Sequence, residues 1–143
     1  MMRGSEARGG MRLIVDVDGT LTYDDSGIPY SERVPRADVI ARINELHRRG
    51  ARIIIYSARN MRTYKGNLGL INKNTLPVLM DWLERHGVCY DEIYMGKPWC
   101  GTDGFYIQSR SLRPNRFVAL PVEVIAAKLG LESDEGATRD NEQ

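Results

Sequence analysis

Cysteine and histidine are scarce in this chain of 143 residues, which has two of each: Cys89, Cys100, His47 and His86. Their spacing makes no zinc motif. So few thiols, with no signal-like apolar stretch, point to a reducing compartment and away from a disulfide-stapled secreted fold. No apolar run approaches the roughly 18 residues of a membrane span. An excess of one charge is lacking too: 20 Lys and Arg face 19 Asp and Glu, for a net charge of +1. Broad electrostatic attraction to nucleic acid or anionic membrane is thereby excluded, and any anion must be held locally. The expectation is a soluble, cytoplasmic protein with no nucleic-acid and no membrane partner. Its length suits one domain with a single core.

What the sequence does have is one concentrated stretch, residues 12–22, Arg-Leu-Ile-Val-Asp-Val-Asp-Gly-Thr-Leu-Thr. The apolar run Leu13, Ile14, Val15 reads as a buried strand that stops at Asp16 and Asp18. An unpaired buried charge is too costly for a core, so both carboxylates must sit where the strand emerges, beside a cation or hydrogen-bond donors. In an open α/β sheet the carboxyl end of a strand is where ligands bind.

The rest of the chain repeats the pattern of strand and helix. Residues 1–10 read as a disordered tail, 11–131 as the core and 132–143 as a second polar tail. Turn formers fill 23–34. A helix is expected from about Pro35 to Arg49, with Val39, Ile43 and Leu46 on one face and Gly50 as its stop. His47 reads as a residue near that helix end, not as a catalytic base. Residues 52–57 read as a second strand ending at Ser57, so strand, helix and strand form a βαβ unit with parallel strands and a right-handed crossover. Ser57 then shares an edge with Asp16. The loop from Ala58 to Gly69 carries Arg59, Asn60, Arg62, Tyr64, Lys65 and Asn67, a candidate anion clamp above that edge. A second helix is expected from Thr75 as N-cap, with Leu76, Leu79, Met80 and Leu83 on one face, His86 in its last turn and Gly87 as stop. A third strand from about Val88 to Met95 leads into Gly96-Lys97-Pro98-Trp99. A fourth is expected over Gly104 to Gln108, and a last helix from Pro121 to Leu129.

Asp-x-Asp-Gly-Thr after an apolar strand resembles the first motif of the haloacid dehalogenase superfamily of aspartate-nucleophile phosphotransferases. The stretches Ser-Ala-Arg-Asn-Met-Arg-Thr-Tyr-Lys-Gly-Asn, Asn-Thr-Leu-Pro, Tyr-Asp-Glu-Ile-Tyr, Gly-Lys-Pro-Trp-Cys-Gly, Asp-Gly-Phe-Tyr and Leu-Arg-Pro-Asn-Arg-Phe, between Ser57 and Phe117, resemble its capsule polysaccharide biosynthesis phosphatases. The resemblance implies a three-layer Rossmann-like core, a parallel sheet with helices on both faces. It implies Asp16 as the nucleophile that forms an aspartyl-phosphate, and Asp18 as general acid and then base. Gly19 and Thr20 would set the backbone around Asp18. Ser57 would bond a phosphoryl oxygen, and Lys97 would neutralise charge on nucleophile and phosphate. Gly19, Thr20, Ala58, Arg59, Asn60 and Arg62 are the substrate-binding candidates. About 40 residues separate Asp16 from Ser57, and Ser57 from Lys97, which leaves no room for a cap domain. Capless members often cover the site with a neighbouring subunit, which implies a homo-oligomer. Trp99 reads as core or as part of that interface.

The departure lies in the fourth motif, where the family has an acidic pair that completes a magnesium site. This chain has Gln108 and Ser109 there. The expected Mg2+ ligands are then Asp16, Asp18 and Gln108. At an effective dielectric of about 20, a carboxylate roughly 4 Å from a unit charge is worth about 4 kcal/mol before desolvation, so the loss weakens metal binding severely. Asp103, just before the fourth strand, is not assumed to replace the pair. Two expectations follow: a Mg-dependent phosphatase acting on a small phosphorylated sugar or polyol of capsule or surface polysaccharide synthesis, or a catalytically impaired relative that binds a phosphorylated ligand or a partner protein.

Overall fold

The structure, a computed structural model, describes residues 12–128. The expected tails at 1–10 and 132–143 lie outside the described residues, as do Met11 and the end of the last expected helix. Strand β1 (Arg12–Val15) pairs in parallel with β2 (Arg52–Ser57), and β2 with β3 (Glu92–Met95), in the order β1-β2-β3. The register sets Val15 beside Ile55 and Ile55 beside Ile93, so Asp16, Ser57 and the residues after Met95 emerge along one edge. A sheet that grows in one direction by right-handed crossovers carries its connecting helices on one face. The core agrees: Leu13, Val15, Ile53, Ile55, Ile93 and Met95, alternate residues of the three strands, belong to one cluster with Val39, Ile43, Leu46, Leu79, Trp82 and Leu83 of the helices. Ile14 and Tyr94, on the opposite face, are exposed. The α/β class and the parallel sheet are therefore as expected.

Helix α1 (Ala37–Arg48) buries Val39, Ile40, Ile43 and Leu46. It ends where Gly50 predicts: Gly50 N–H donates to the His47 carbonyl and Ala51 N–H to the Leu46 carbonyl, both at 3.0 Å, the paired closure of a Schellman turn. Gly87 closes α3 (Leu76–Arg85) in the same way, with Gly87 N–H on Glu84 and Val88 N–H on Leu83. Ahead of α3 the chain is already helical, through α2 (Leu68–Leu70) and a π-helical stretch at Ile71–Thr75. Thr75 is therefore not the expected N-cap. It is buried inside the rod, and its Oγ1 donates to Asn60 Oδ1 at 2.6 Å. The buried face of α3 is Leu79, Trp82 and Leu83, while Met80 faces out; Trp82 Nε1 donates to the Arg33 carbonyl at 2.9 Å.

Two further expectations are corrected, and one helix is added. The third strand is shorter than 88–95, because Val88 N–H is taken by Leu83 and Cys89 N–H by Asn44 Oδ1 at 2.9 Å, leaving the ladder to start at Glu92. Residues 104–108 form no strand and lie exposed. A helix not expected from the sequence, α4 (Pro114–Ala119) with Pro114 in its first turn, precedes the last one, which is present where expected as α5 (Val122–Lys128). Arg42 of α1 fastens α4 by donating to the Phe117 and Leu120 carbonyls at 2.9 and 2.8 Å. No helix among the described residues is long and apolar enough to cross a membrane.

Candidate active site

The turn after β1 is wound around one carbonyl. Val17 is fully buried, and its C=O accepts the N–H groups of Thr20, Leu21 and Thr22 at 3.1, 2.8 and 3.1 Å, while Gly19 N–H donates to Thr22 Oγ1. With Val17 locked inward, Asp16 and Asp18 on either side of it face other surroundings, and the two carboxylates meet different partners.

Asp16 is partly open, its side chain 38 % exposed, and Lys97 Nζ lies 3.7 Å from its Oδ1. Burial pushes the Asp16 carboxyl above its usual range, and the neighbouring Lys97 charge pulls the other way without cancelling it. Lys97 is aimed by its backbone, whose N–H donates to the Ser57 carbonyl at 3.1 Å. Its ammonium sits 4.2 Å from the centre of the Tyr106 ring and 5.8 Å from that of Tyr56. The Tyr106 hydroxyl donates to the Pro98 carbonyl at 2.7 Å and accepts from Cys100 N–H at 3.3 Å, so the ring is tethered over the lysine. Ser57, at the end of β2, is buried, and its Oγ accepts the Arg59 N–H at 3.0 Å.

Asp18 is gripped by two arginines. Arg59 contacts both carboxylate oxygens, Nε at 2.9 Å and Nη2 at 3.0 Å, and Arg33 Nη1 adds a third contact at 3.2 Å. Both guanidinium carbons lie over the Tyr30 ring, at 4.3 Å for Arg59 and 4.8 Å for Arg33. The Arg59 side chain is completely buried and its Nη1 has no hydrogen-bond partner. Arg59 is thus not the open anion clamp expected of it; its fork is already filled by Asp18. A concavity of about 300 Å³ lined by Ser26, Gly27, Ile28, Pro29, Tyr30 and Arg33 adjoins this cluster.

Asp16, Ser57 and Lys97 are thus brought to one edge. The other candidates have local roles. Thr20 closes the turn on Val17, and the Ala58 carbonyl accepts from Met61 N–H at 3.1 Å. Asn60, at φ +60°, donates to Thr63 Oγ1 and accepts from Thr75. Arg62 is exposed, 5.8 Å from the Trp99 ring centre. Gln108 is exposed and outside any strand. Sequence reasoning missed Arg33 and Tyr30, hidden in a run of turn formers, and Tyr106, read as part of a strand.

Magnesium fits poorly here. Asp18 already has both oxygens on guanidinium groups, Gln108 is exposed, and no group of three or more His, Cys, Asp or Glu among the described residues could hold a metal ion. Asp16 is left as the sole expected ligand with a carboxylate oxygen not taken by arginine, fewer oxygens than the ion takes from proteins and substrate together.

No family model and no curated protein matches this chain. A solved structure does. A crystal structure of a structural-genomics target from Vibrio cholerae superposes with a TM-score of 0.76 and 52 % identity, over 80 % of this chain and 93 % of that one. Identity at that level, across nearly the whole of the other protein, is far beyond a shared architecture, and so this chain and the Vibrio cholerae protein belong to one family.

Proposed function

We propose that this protein is a capless phosphatase of the haloacid dehalogenase type, of the capsule polysaccharide biosynthesis subfamily, that hydrolyses a small phosphorylated sugar or polyol. The observation that carries the reading is the pairing of Asp16 with Lys97 Nζ at 3.7 Å, at the ends of parallel strands, beside Ser57. An Asp16 oxygen attacks phosphorus, the bond to the leaving oxygen breaks, and water then cleaves the aspartyl-phosphate to release inorganic phosphate. Lys97 neutralises charge that builds on the phosphoryl oxygens, the dominant contribution in such transfers. Asp18 serves as general acid only after a guanidinium contact is exchanged for a proton taken up from solvent, which it then passes to the leaving oxygen, because both its oxygens already accept from arginine. The 300 Å³ concavity beside Arg33 is at the small end of ligand sites and suits a sugar-sized leaving group. The reading also expects helices on both faces of the sheet. No step is routed through magnesium, since the donor set does not complete its site.

The grip on Asp18 favours a second reading, a relative that binds a phosphorylated ligand without turnover. Phosphate release from a panel of sugar phosphates, across a magnesium titration and with Asp16→Asn as control, separates the two. Release that disappears in Asp16→Asn supports the enzyme. Equal release from both proteins, or none at millimolar metal, removes it, and calorimetric binding of the same sugar phosphates then decides the second.

A further inference from the structure

Two guanidinium groups and one carboxylate are packed together at the turn after β1, and their charges do not balance. Arg33 is 8 % exposed and Arg59 2 %, and among the described residues Asp18 is the acidic partner of both, so the cluster carries one positive charge in excess. Donors are in excess as well. Arg59 Nη1 is buried without a partner. Arg33 places Nε on the Ile28 carbonyl at 2.6 Å and Nη1 on Asp18, while its Nη2 makes no hydrogen bond among the described residues. A withdrawn cation with no counter-charge of its own is costly, which marks the place as one for an incoming anion. Arg33 also lines the concavity of about 300 Å³, together with Ser26, Gly27 and Tyr30, whereas the nearby acids Asp24, Asp25 and Glu32 do not. The Tyr30 ring beneath both guanidinium groups covers one face of each, so an anion meets their edges.

We infer that this concavity receives a carboxylate of the substrate on Arg33, so that the preferred substrates are phosphorylated sugar acids, over neutral sugar or polyol phosphates. The inference rests on the phosphatase reading for the place of the phosphoryl group, beside Asp16, Ser57 and Lys97. A carboxylate is the group these arginines already hold, and a second one meets the same planar fork through Nη1 and Nη2 of Arg33. It cancels the excess charge. A second phosphoryl group, with about two negative charges, overshoots it. The exchange also releases Asp18. Its Oδ1 accepts from both arginines, so when Arg33 turns Nη1 to the ligand, the place it leaves on Oδ1 opens to a proton from solvent. Asp18 then passes that proton to the leaving oxygen. A neutral polyol has only hydroxyl oxygens to offer Arg33 in return for Asp18, and its turnover is slower.

The test compares ligands that differ at one end. 6-Phosphogluconate, its amide and sorbitol 6-phosphate share a carbon chain and a phosphate, and end in a carboxylate, a neutral isostere and a hydroxymethyl group. 3-Phosphoglycerate and glycerol 3-phosphate form the same contrast on a shorter chain. Phosphate release and calorimetric binding are measured for each with the full chain. At one of the two chain lengths the acid should exceed its neutral counterparts by about 10- to 100-fold in kcat/KM, the worth of a hydrogen bond to a charged group, and in Arg33→Gln the difference should shrink to about threefold or less. Only the ratio within each protein is read, so a general loss through Asp18 does not enter it. Should Arg33→Gln fail to fold, acid against amide on the parent decides alone. Release without preference for the acid at either length overturns the inference and leaves the phosphatase reading standing. A preference that survives in folded Arg33→Gln, or a stronger one for glucose 1,6-bisphosphate, overturns it as well. No release, with the acid still bound preferentially through Arg33, overturns turnover and supports the carboxylate site. Neither release nor binding of any compound overturns both.

Discussion

Arg59 meets Asp18 fork to fork, with Nε and Nη2 at 2.9 and 3.0 Å from the two carboxylate oxygens, and the arginine side chain is wholly withdrawn from solvent. A lysine is a point donor and cannot supply two parallel bonds from a planar group. Arg59→Lys is therefore expected to cost about 1–3 kcal/mol in urea denaturation. That is below the 3–5 kcal/mol seen when one partner of a fully buried pair is removed, because Asp18 is partly solvated and keeps Arg33. Adding Asp18→Asn to Arg59→Lys should cost less than the sum of the two. Additive losses would mean that the pair contributes nothing as a unit.

The Asp16 carboxyl gives a pH-dependent expectation. Burial raises its pKa above the ordinary 3.8, so the folded protein binds this proton more tightly than the unfolded chain does. The associated stability is fully present below pH 3.8 and is lost as pH rises through the elevated folded value. At neutral pH the charged carboxylate is a net cost of folding, and Asp16→Asn removes it. The variant should melt about 1–4 °C higher than the parent at pH 7, a small gain because the carboxylate is partly exposed and screened. Near pH 3.5 the two should converge. Melting curves that coincide at pH 7, or a variant less stable there, would show that Lys97 outweighs burial.

Much of this arrangement is visible in residues close in sequence, and what is not involves residues far apart. Apolar runs that end in Asp16 and Ser57 mark strand ends because charge and hydroxyl cannot continue into a dry core. Gly50 and Gly87 mark helix ends because the closure is complete within six residues. Thr75 has the composition of a cap, yet its bond to Asn60 crosses 15 positions and lies outside any local signal. The partners of Asp18 stand 15 and 41 positions away, so neither arginine can be assigned from spacing. Residues 104–108 have the pattern of a strand, but a strand also needs a neighbour, and among the described residues the segment has none.

Tyr106 makes two separable contributions, through its hydroxyl and through its ring. Tyr106→Phe loses the bonds to Pro98 and Cys100, about 0.5–1.5 kcal/mol each at most for neutral partners, but keeps the ring beneath the Lys97 ammonium. Tyr106→Leu loses the ring as well, a further 0.5–1 kcal/mol or so at a partly exposed site. Chemical denaturation should therefore rank parent, Phe and Leu in falling order. Calorimetric binding of inorganic phosphate should fall more for Leu than for Phe. Equal binding by the two variants would show that the ring does not position Lys97.

Gly96 connects β3 to Lys97, and its backbone sits at φ +92°, a region costly for any residue with a Cβ. The space is also filled: a Cβ there would stand 2.7 Å from Leu68 Cδ2. Gly96→Ala therefore carries a backbone cost of about 1–2 kcal/mol and a steric cost that the end of the leucine side chain can partly relieve by moving. Combining it with Leu68→Ala should recover the steric share only, leaving the double variant below Leu68→Ala alone by roughly the backbone share. Because Lys97 follows directly and hangs from the Ser57 carbonyl by its N–H, the strain is transmitted to the pairing with Asp16. Gly96→Ala should accordingly bring the Asp16 carboxyl still higher, as the Lys97 charge that lowers it moves off. NMR titration of the Asp16 side-chain carboxyl reads this directly. An unchanged midpoint in Gly96→Ala would mean that Lys97 holds its place without the glycine.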